Sequence, residues 1–276
     1  MQNNLAQNVM NTREIHQALF IDAPPEVVWE AFTDAKHIQN WFAAAAASQP
    51  GVDGFIDLIW DRSKPNSGQH CVITEWQPAQ RLVMSWRDAP DGEHPLPIEV
   101  VLQAKDGGTL FTLTHSGFLS DASWDEEFDS HGRGWTYELK SLRYYVENLF
   151  GHTRTIVLQR LPLNPEDWRQ LVGPNGAFQI ESGLSDRRNC VLGLPGGASS
   201  GGFVLNELTQ KDVAVVLDVL RGGVLRLTFE TFAGEPEVWF WTSSWVLDET
   251  ALRAIVEPWY QEVKSALLHA SADDPQ

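Results

Sequence analysis

Apolar and polar residues alternate along five short runs in the first half of the chain, at about 53–60, 68–76, 81–87, 97–104 and 109–115, with Gly, Pro, Asp or Asn between them. A period of two puts every second side chain on one face, so these runs predict an antiparallel meander buried on one side. A strand over 13–20 precedes them and leads into Asp22-Ala23-Pro24-Pro25-Glu26. That sequence opens a short helix carrying Val28, Trp29 and Phe32, because proline in the first helical turn sacrifices no hydrogen bond. A second helical segment, 36–42, ends in Trp41-Phe42 and is followed by the alanine run 43–47. After the meander the period becomes helical. Trp135, Leu139, Leu142, Val146 and Leu149 form an apolar stripe over 134–149, with Glu138, Lys140, Arg143 and Glu147 on the other side.

The second half follows the same plan: a strand near 153–160, a short helix at 165–171, strands near 187–192, 203–208, 213–220, 223–231 and 236–246, then a long C-terminal helix. Pro258 leaves two readings of that helix, a short one at 248–256 followed by another starting at the proline, or one kinked helix. The halves also begin and end alike. Thr12-Arg13-x-Ile15 followed by Pro25-Glu26-x-x-Trp29 is echoed by Thr153-Arg154-x-Ile156 followed by Pro165-Glu166-x-Trp168. Trp135, Leu139, Leu142 and Val146 correspond to Trp259, Val263, Ala266 and Ala270. Strands followed by a helix, twice over, predict an α+β protein of two domains, 10–150 and 152–271.

With 276 residues the chain is long enough for two cores. Its net charge of −17 repels polyanions, which argues against nucleic acid and anionic membrane as partners. No apolar run reaches the roughly 20 residues of a membrane span, and Met1–Thr12 has no leader pattern, so no membrane insertion and a cytoplasmic location are expected. Cys71 and Cys190 lie in apolar, strand-like stretches far apart, as expected of buried thiols in a reducing compartment. The 12 Trp and 13 Phe supply large apolar surface for a core or a pocket lining.

Landmarks spread over 13–149 resemble a START-like, helix-grip domain of the heat-shock-protein-90 ATPase activator homologue family, within the polyketide cyclase, lipid-transport and birch-pollen-allergen superfamily. They are Ala23-Pro24-Pro25-Glu26-x-Val28-Trp29 with Phe32-Thr33, His37-x-x-x-Trp41-Phe42, Gly54 leading to Trp60, Gly68 before Glu75-Trp76-x-Pro78, and Arg81-Leu82-Val83-x-Ser85-Trp86. Gly107-Gly108-Thr109-x-x-Thr112-Leu113-Thr114-His115-x-Gly117-Phe118 and Gly134-Trp135-x-x-x-Leu139-x-x-Leu142 complete them. The resemblance implies a curved antiparallel sheet wrapped around a long C-terminal helix, enclosing a pocket that in many members takes an apolar or aromatic small molecule. The family's eukaryotic namesake stimulates a chaperone ATPase together with a different N-terminal domain, which nothing here resembles. The second half is similar only through its opening strand and helix, Gly202-Phe203-Val204-Leu205 and the Trp259 helix. It lacks a second helix, a Trp-Phe pair and a Thr-His-x-Gly-Phe, and is expected to be a degenerate helix-grip copy with an altered or filled cavity.

Taking the apolar phase of each strand as inward places Leu58, Trp60, His70, Val72, Leu82, Met84, Trp86, Val100, Leu102, Phe111, Leu113 and His115 on the inner face, closed by Phe42, Trp135 and Leu139. Candidate ligand-binding residues are therefore Phe42, Trp60, His70, Met84, Trp86, Phe111, Leu113, His115, Trp135 and Leu139. The aromatic ones are packing residues first. His70 and His115 are the polar members, each able to meet a ligand oxygen or a proton. No carboxylate or nucleophile stands at a diagnostic spacing from them, so no catalytic residue is assigned, and no cofactor is implied.

The acidic run Trp124-Asp-Glu-Glu-Phe-Asp-Ser-His131 lacks both the EF-hand and the H-E-x-x-H spacing, so it reads as a solvated loop over the cavity mouth and not as a metal site. Gly193 to Gly202 is glycine-rich without a phosphate-loop ending and reads as a flexible turn. The leading reading is a non-enzymatic protein binding an apolar or aromatic small molecule. The alternatives are a chaperone-associated or other protein-interaction module, and a cyclase- or hydrolase-like enzyme using His115.

Overall fold

The computed structural model describes residues 11–64, 68–86, 95–164, 167–181, 190–232 and 235–270. The chain divides into two compact units, Met1–Phe150 and Gly151–Gln276. Each contains a seven-stranded antiparallel sheet.

In the first unit β1 (Thr12–Ile21) is followed by α1 (Pro25–Thr33) and α2 (Ala35–Ile38), then by β2 (Ala45–Gln49), β3 (Phe55–Ile59), β4 (Gly68–Gln77), β5 (Arg81–Trp86), β6 (Leu96–Lys105), β7 (Gly108–Leu119) and α3 (Asp125–Asn148). The sheet order is β1-β7-β6-β5-β4-β3-β2, a meander whose last strand returns to pair with the first. Pro25 begins α1, and the Asp34 carboxylate accepts the Lys36 backbone N–H at 2.8 Å to cap α2. The helix pair is pinned by the Trp41 indole, which donates to the Ala31 carbonyl at 2.8 Å. The sheet grips α3, which buries Tyr137, Ser141 and Tyr145 as well as the stripe of Trp135, Leu139, Leu142 and Val146. Glu138, placed by periodicity on the solvent side, is also buried.

Two further expectations are corrected, one unassigned run is placed and one open choice is settled. The alanine run, a helix former by propensity, is the edge strand β2, because Ala45–Gln49 pairs with Ile59–Phe55 and tertiary pairing outweighs a preference of tenths of a kcal/mol per residue, about 0.7 at most. The acidic run 125–131 is no loop but the first two turns of α3. Three carboxylates in the first turn suit the positive end of a helix. Residues 249–270 form a single helix, α5, with Pro258 inside it. The buried row Leu252, Val256, Trp259 and Val263 runs straight through the proline, so packing on the sheet carries the helix past the lost hydrogen bond.

The other correction concerns β4. A bulge between Ile73 and Glu75 reverses its alternation, so counting back from Trp76 gives the wrong face. The register Ile56↔Cys71 and Leu58↔Gln69 puts Gln69, Cys71 and Ile73 inside, with His70 and Val72 outside.

The second unit repeats the topology strand for strand. It runs β8 (Thr155–Pro162), α4 (Trp168–Leu171), β9 (Gln179–Glu181), β10 (Cys190–Gly193), β11 (Ser199–Asn206), β12 (Asp212–Leu217), β13 (Gly223–Phe232), β14 (Glu235–Ser244) and α5 (Glu249–Ala270), in sheet order β8-β14-β13-β12-β11-β10-β9. Both units are thus helix grips, and the fold is α+β. Pro165-Glu166 of the sequence repeat and residues 187–189 of the expected strand lie outside the described residues. The second core gathers Trp168, Phe178, Phe240 and Trp259 with Val213, Val215, Leu225 and Leu227. A void of about 10 Å³ among Val172, Phe178, Leu192, Val213, Val215, Leu225 and Leu227 is at the lower limit for one water. No helix among the described residues is long and apolar enough to cross a membrane.

Gly132 and Gly134 lie inside α3 with open space where a Cβ would stand. Glycine in a helix interior costs about 0.5–1 kcal/mol relative to alanine. Gly132→Ala is therefore expected to stabilise the protein by about that amount, read as a higher urea midpoint with an unchanged m-value.

Candidate functional site

The inner face of the first sheet is almost wholly apolar, which makes its one buried histidine conspicuous. His115, on β7, pairs with Ile15 of β1 on one side and Ile98 of β6 on the other, and is 0 % exposed. Alternation alone would turn Phe118, three residues on, to the outside. A bulge prevents this. Arg13 faces Phe118 and Ile15 faces His115, so three steps on β7 match two on β1. Gly117 makes the bulge possible with φ of 93°, and a Cβ there would stand 2.6 Å from the Pro95 carbonyl oxygen. His115 and Phe118 consequently both point inward.

Four rings surround the imidazole. Centroids lie 4.8 Å away for Phe118 and 5.1 Å for His131, both edge-on, 5.7 Å for Trp86, tilted by 27°, and 6.2 Å for Trp135. Trp135 holds the ring, its indole Nε1–H donating to His115 Nδ1 at 3.0 Å. An Nδ1 that accepts has no proton, so the proton of the neutral ring is on Nε2. That Nε2 is buried without a hydrogen bond of proper geometry. Burial first, then the neighbouring His131, push the His115 pKa down to about 2, against the Leu96 carbonyl, whose field favours a proton. The group is a fixed neutral donor. Its only free lone pair is already taken, so it cannot serve as a general base.

Other candidate residues fall into place around this nest. Phe42 stacks on Trp41 at 4.8 Å, meets Trp60 edge-on at 5.0 Å and lies 5.4 Å from Trp135. Phe111, Leu113, Met84 and Leu139 sit deeper in the core, where Phe111 packs on Phe32 at 5.4 Å. His70 does not join them. On the outer face its Nδ1 lies 2.5 Å from Asp57 Oδ1, an exposed pair worth little. Gln69, unnamed by the sequence reading, faces inward in its place with Oε1 buried and without a hydrogen bond.

His131 and Phe118 were also missed. Each carried a signal: Trp124, Phe128 and His131 extend the 135-139-142-146 stripe backwards at helical spacing, and Gly117 marks the bulge. His131 is oriented by its Nδ1–H, which donates to the Glu127 carbonyl at 2.9 Å. Among the described residues no group of three or more His, Cys, Asp or Glu could hold a metal ion.

The second unit has no histidine on any strand. Its glycine-rich stretch forms the turn between β10 and β11, with Gly196 and Gly197 at positive φ. With Arg169, Gln170, Asn175 and Glu262 this turn lines an open cleft of about 820 Å³.

Two measurements check this geometry. Trp135→Phe removes the indole donor and leaves His115 Nδ1 buried and unpaired, an expected loss of about 1–3 kcal/mol in urea unfolding. The second concerns pH. Because the folded pKa lies below the unfolded value of 6.5, the unfolded chain binds the extra proton between the two. Stability therefore falls as pH drops below about 6.5, by up to about 1.4 kcal/mol per pH unit from this residue. Unfolding free energies between pH 7 and 5 should show a shallower slope in His115→Gln than in the wild type.

Residues 22–147 match the profile of the family described as Activator of Hsp90 ATPase homolog 1-like protein. Among solved structures, CalU16 from Micromonospora echinospora is 26% identical over 50% of this chain and 78% of its own, with a TM-score of 0.40. The Aha1 dimer from Colwellia psychrerythraea is 20% identical over 50% of this chain and 99% of its own, with a TM-score of 0.44. DynU16, described as a protein in the dynemicin biosynthetic locus, is 13% identical over 94% of this chain and 98% of its own, with a TM-score of 0.42. No curated protein matches the chain. The profile covers α1 through nearly all of α3, so the match to the Activator of Hsp90 ATPase homolog 1-like family lies wholly within the first domain and its helix-grip topology.

Proposed function

We propose that the first domain binds an apolar or aromatic small molecule between its sheet and α3, and that the second domain supports or regulates it. The observation carrying this reading is the His115 Nε2–H, a donor sunk in aromatic rings whose protein neighbour, the Leu96 carbonyl, does not reach full hydrogen-bond geometry. Native proteins satisfy nearly all buried polar atoms, because an orphaned one costs about 1–3 kcal/mol. A ligand that supplies an acceptor recovers that cost. The buried Gln69 Oε1, an acceptor on the same inner face, adds to the argument. Phe42, Trp60, Trp86, Phe118 and Trp135 supply the apolar walls, and the fixed neutral state of His115 favours binding over acid–base chemistry.

A second reading, a protein-interaction domain acting on a chaperone ATPase, is favoured by the family description itself. Native mass spectrometry of the chain purified from its own host, followed by organic extraction, separates the two. The expected result is a stoichiometric small molecule, absorbing in the ultraviolet and lost from a Trp86→Ala variant that remains folded by circular dichroism. A chain without a bound molecule that copurifies with a second protein would overturn the binding reading in favour of interaction.

A further inference from the structure

The enclosure between the second sheet and α5 is filled, its void being about 10 Å³, yet the same unit carries a cleft of about 820 Å³ walled largely by turn and surface residues. We infer that this cleft binds short zwitterionic peptides, with the C-terminal carboxylate on Arg169 and the N-terminal ammonium on Glu262. The inference stands independently of what the first domain binds.

Unspent charge leads to it. Arg169 on α4 and Glu262 on α5 are the two charged residues of the lining, brought to one cleft by two different helices. Among the described residues neither side chain makes a hydrogen bond or an ion pair. The helix offers Glu262 no cation of its own, since Pro258 and Ala266 lie four residues to either side and Trp259 and Ser265 three. What receives the carboxylate is the β10–β11 turn: Glu262 Oε2 lies 3.2 Å from where a Cβ of Gly196 would stand. Gly196 and Gly197 take φ of 84° and 77°, and the turn is closed by Gly197 N–H on the Leu194 carbonyl at 3.2 Å and Leu194 N–H on the Ala198 carbonyl at 2.8 Å. Glycine thus serves twice, allowing the left-handed backbone and leaving the carboxylate its room.

A ligand that meets both groups carries both signs. A lone anion would approach Arg169 against the field of a chain of net charge −17, and a lone cation would leave the guanidinium unmet. The guanidinium fork matches a carboxylate with two parallel hydrogen bonds, and the Glu262 carboxylate accepts from an ammonium. Asn175 and Gln179, on the same lining, each present an amide donor and an amide acceptor, the pair of groups a peptide bond requires. Size selects a peptide over a single amino acid. The cleft, at about 820 Å³, falls within the roughly 300–1,000 Å³ of small-molecule sites, and a free amino acid would leave most of it to water. Three extended residues span about 10 Å, with their charged ends well separated.

The probes are trialanine, N-acetyl-trialanine and trialanine amide, titrated into the full chain and followed by backbone amide NMR shifts. Trialanine is expected to bind about fivefold more tightly than either capped form, the scale of one partly exposed charge pair, and to move the Gly196, Gly197 and Gln179 signals. Arg169→Gln should erase only the preference over the amide, and Glu262→Gln only the preference over the acetylated form. Both residues are exposed, so neither substitution endangers the fold. Attraction by net charge alone would rank the cationic amide first and the anionic acetylated form last, and that order overturns the inference. So does the absence of a saturable shift, equal binding of all three probes, or shifts confined to residues outside the cleft. Preferences that survive both substitutions overturn the assignment to Arg169 and Glu262. Each of these failures leaves the small-molecule reading of the first domain standing, since its test is made on a different unit of the chain.

Discussion

One hydrogen bond organises the first domain's interior: the indole N–H of Trp135 on the nitrogen Nδ1 of His115. It joins the gripping sheet to the gripped helix with a contact that has direction, where the surrounding packing has none. Everything else distinctive about the site follows. The bond selects the imidazole's tautomer, the tautomer decides which nitrogen carries hydrogen, and burial keeps the ring neutral. A donor of fixed identity and fixed direction is thereby held inside an aromatic enclosure. The bulge at Gly117 is the second requirement, since without it Phe118 and His115 could not share a face.

The large features of this fold were legible in the sequence because they rest on repetition. Alternation over 97–104 and 109–115 and the 135-139-142-146 stripe each repeat a period several times, and each became the expected element. The misreadings sit where a period is interrupted or hidden. His70 was turned inward because a one-residue bulge at 73–75 is invisible to a count of alternate residues. The alanine run, which carries no period to read, is placed by an edge pairing with residues six to fourteen positions away. The acidic start of α3 hid an apolar row, Trp124, Phe128 and His131, behind four carboxylates on the other face. Of the ten candidate site residues, His70 alone lies on the wrong face, and the two most informative neighbours, Phe118 and His131, depended on geometry that no single period encodes.

The two domains show how little of a site is fixed by topology. Their sheets have the same strand order, shifted by seven strands, and each ends in a long helix whose tryptophan, Trp135 or Trp259, is buried. The first places a histidine against that tryptophan; the second packs Trp259 against Phe178, at 6.4 Å, and leaves a void too small for a ligand. The second sheet instead buries an ion pair, Arg226–Asp212 at 2.7 Å with Asp212 1 % exposed. Such a pair requires both members and holds its strands in register.

The bulges at 115–118 of β7 and 73–75 of β4 have a consequence for how such a site diverges. Each is a single surplus residue at which the strand's alternation changes phase. Removing that residue would exchange the inward and outward sets on one side of it while leaving the hydrogen-bonded ladder on the other side intact. At β7 such a deletion would carry Phe118 out of the nest and bring a neighbour in. A lineage of these domains therefore has access to wholesale changes of pocket lining through the loss or gain of one codon, a step that a series of point substitutions would need many intermediates to match.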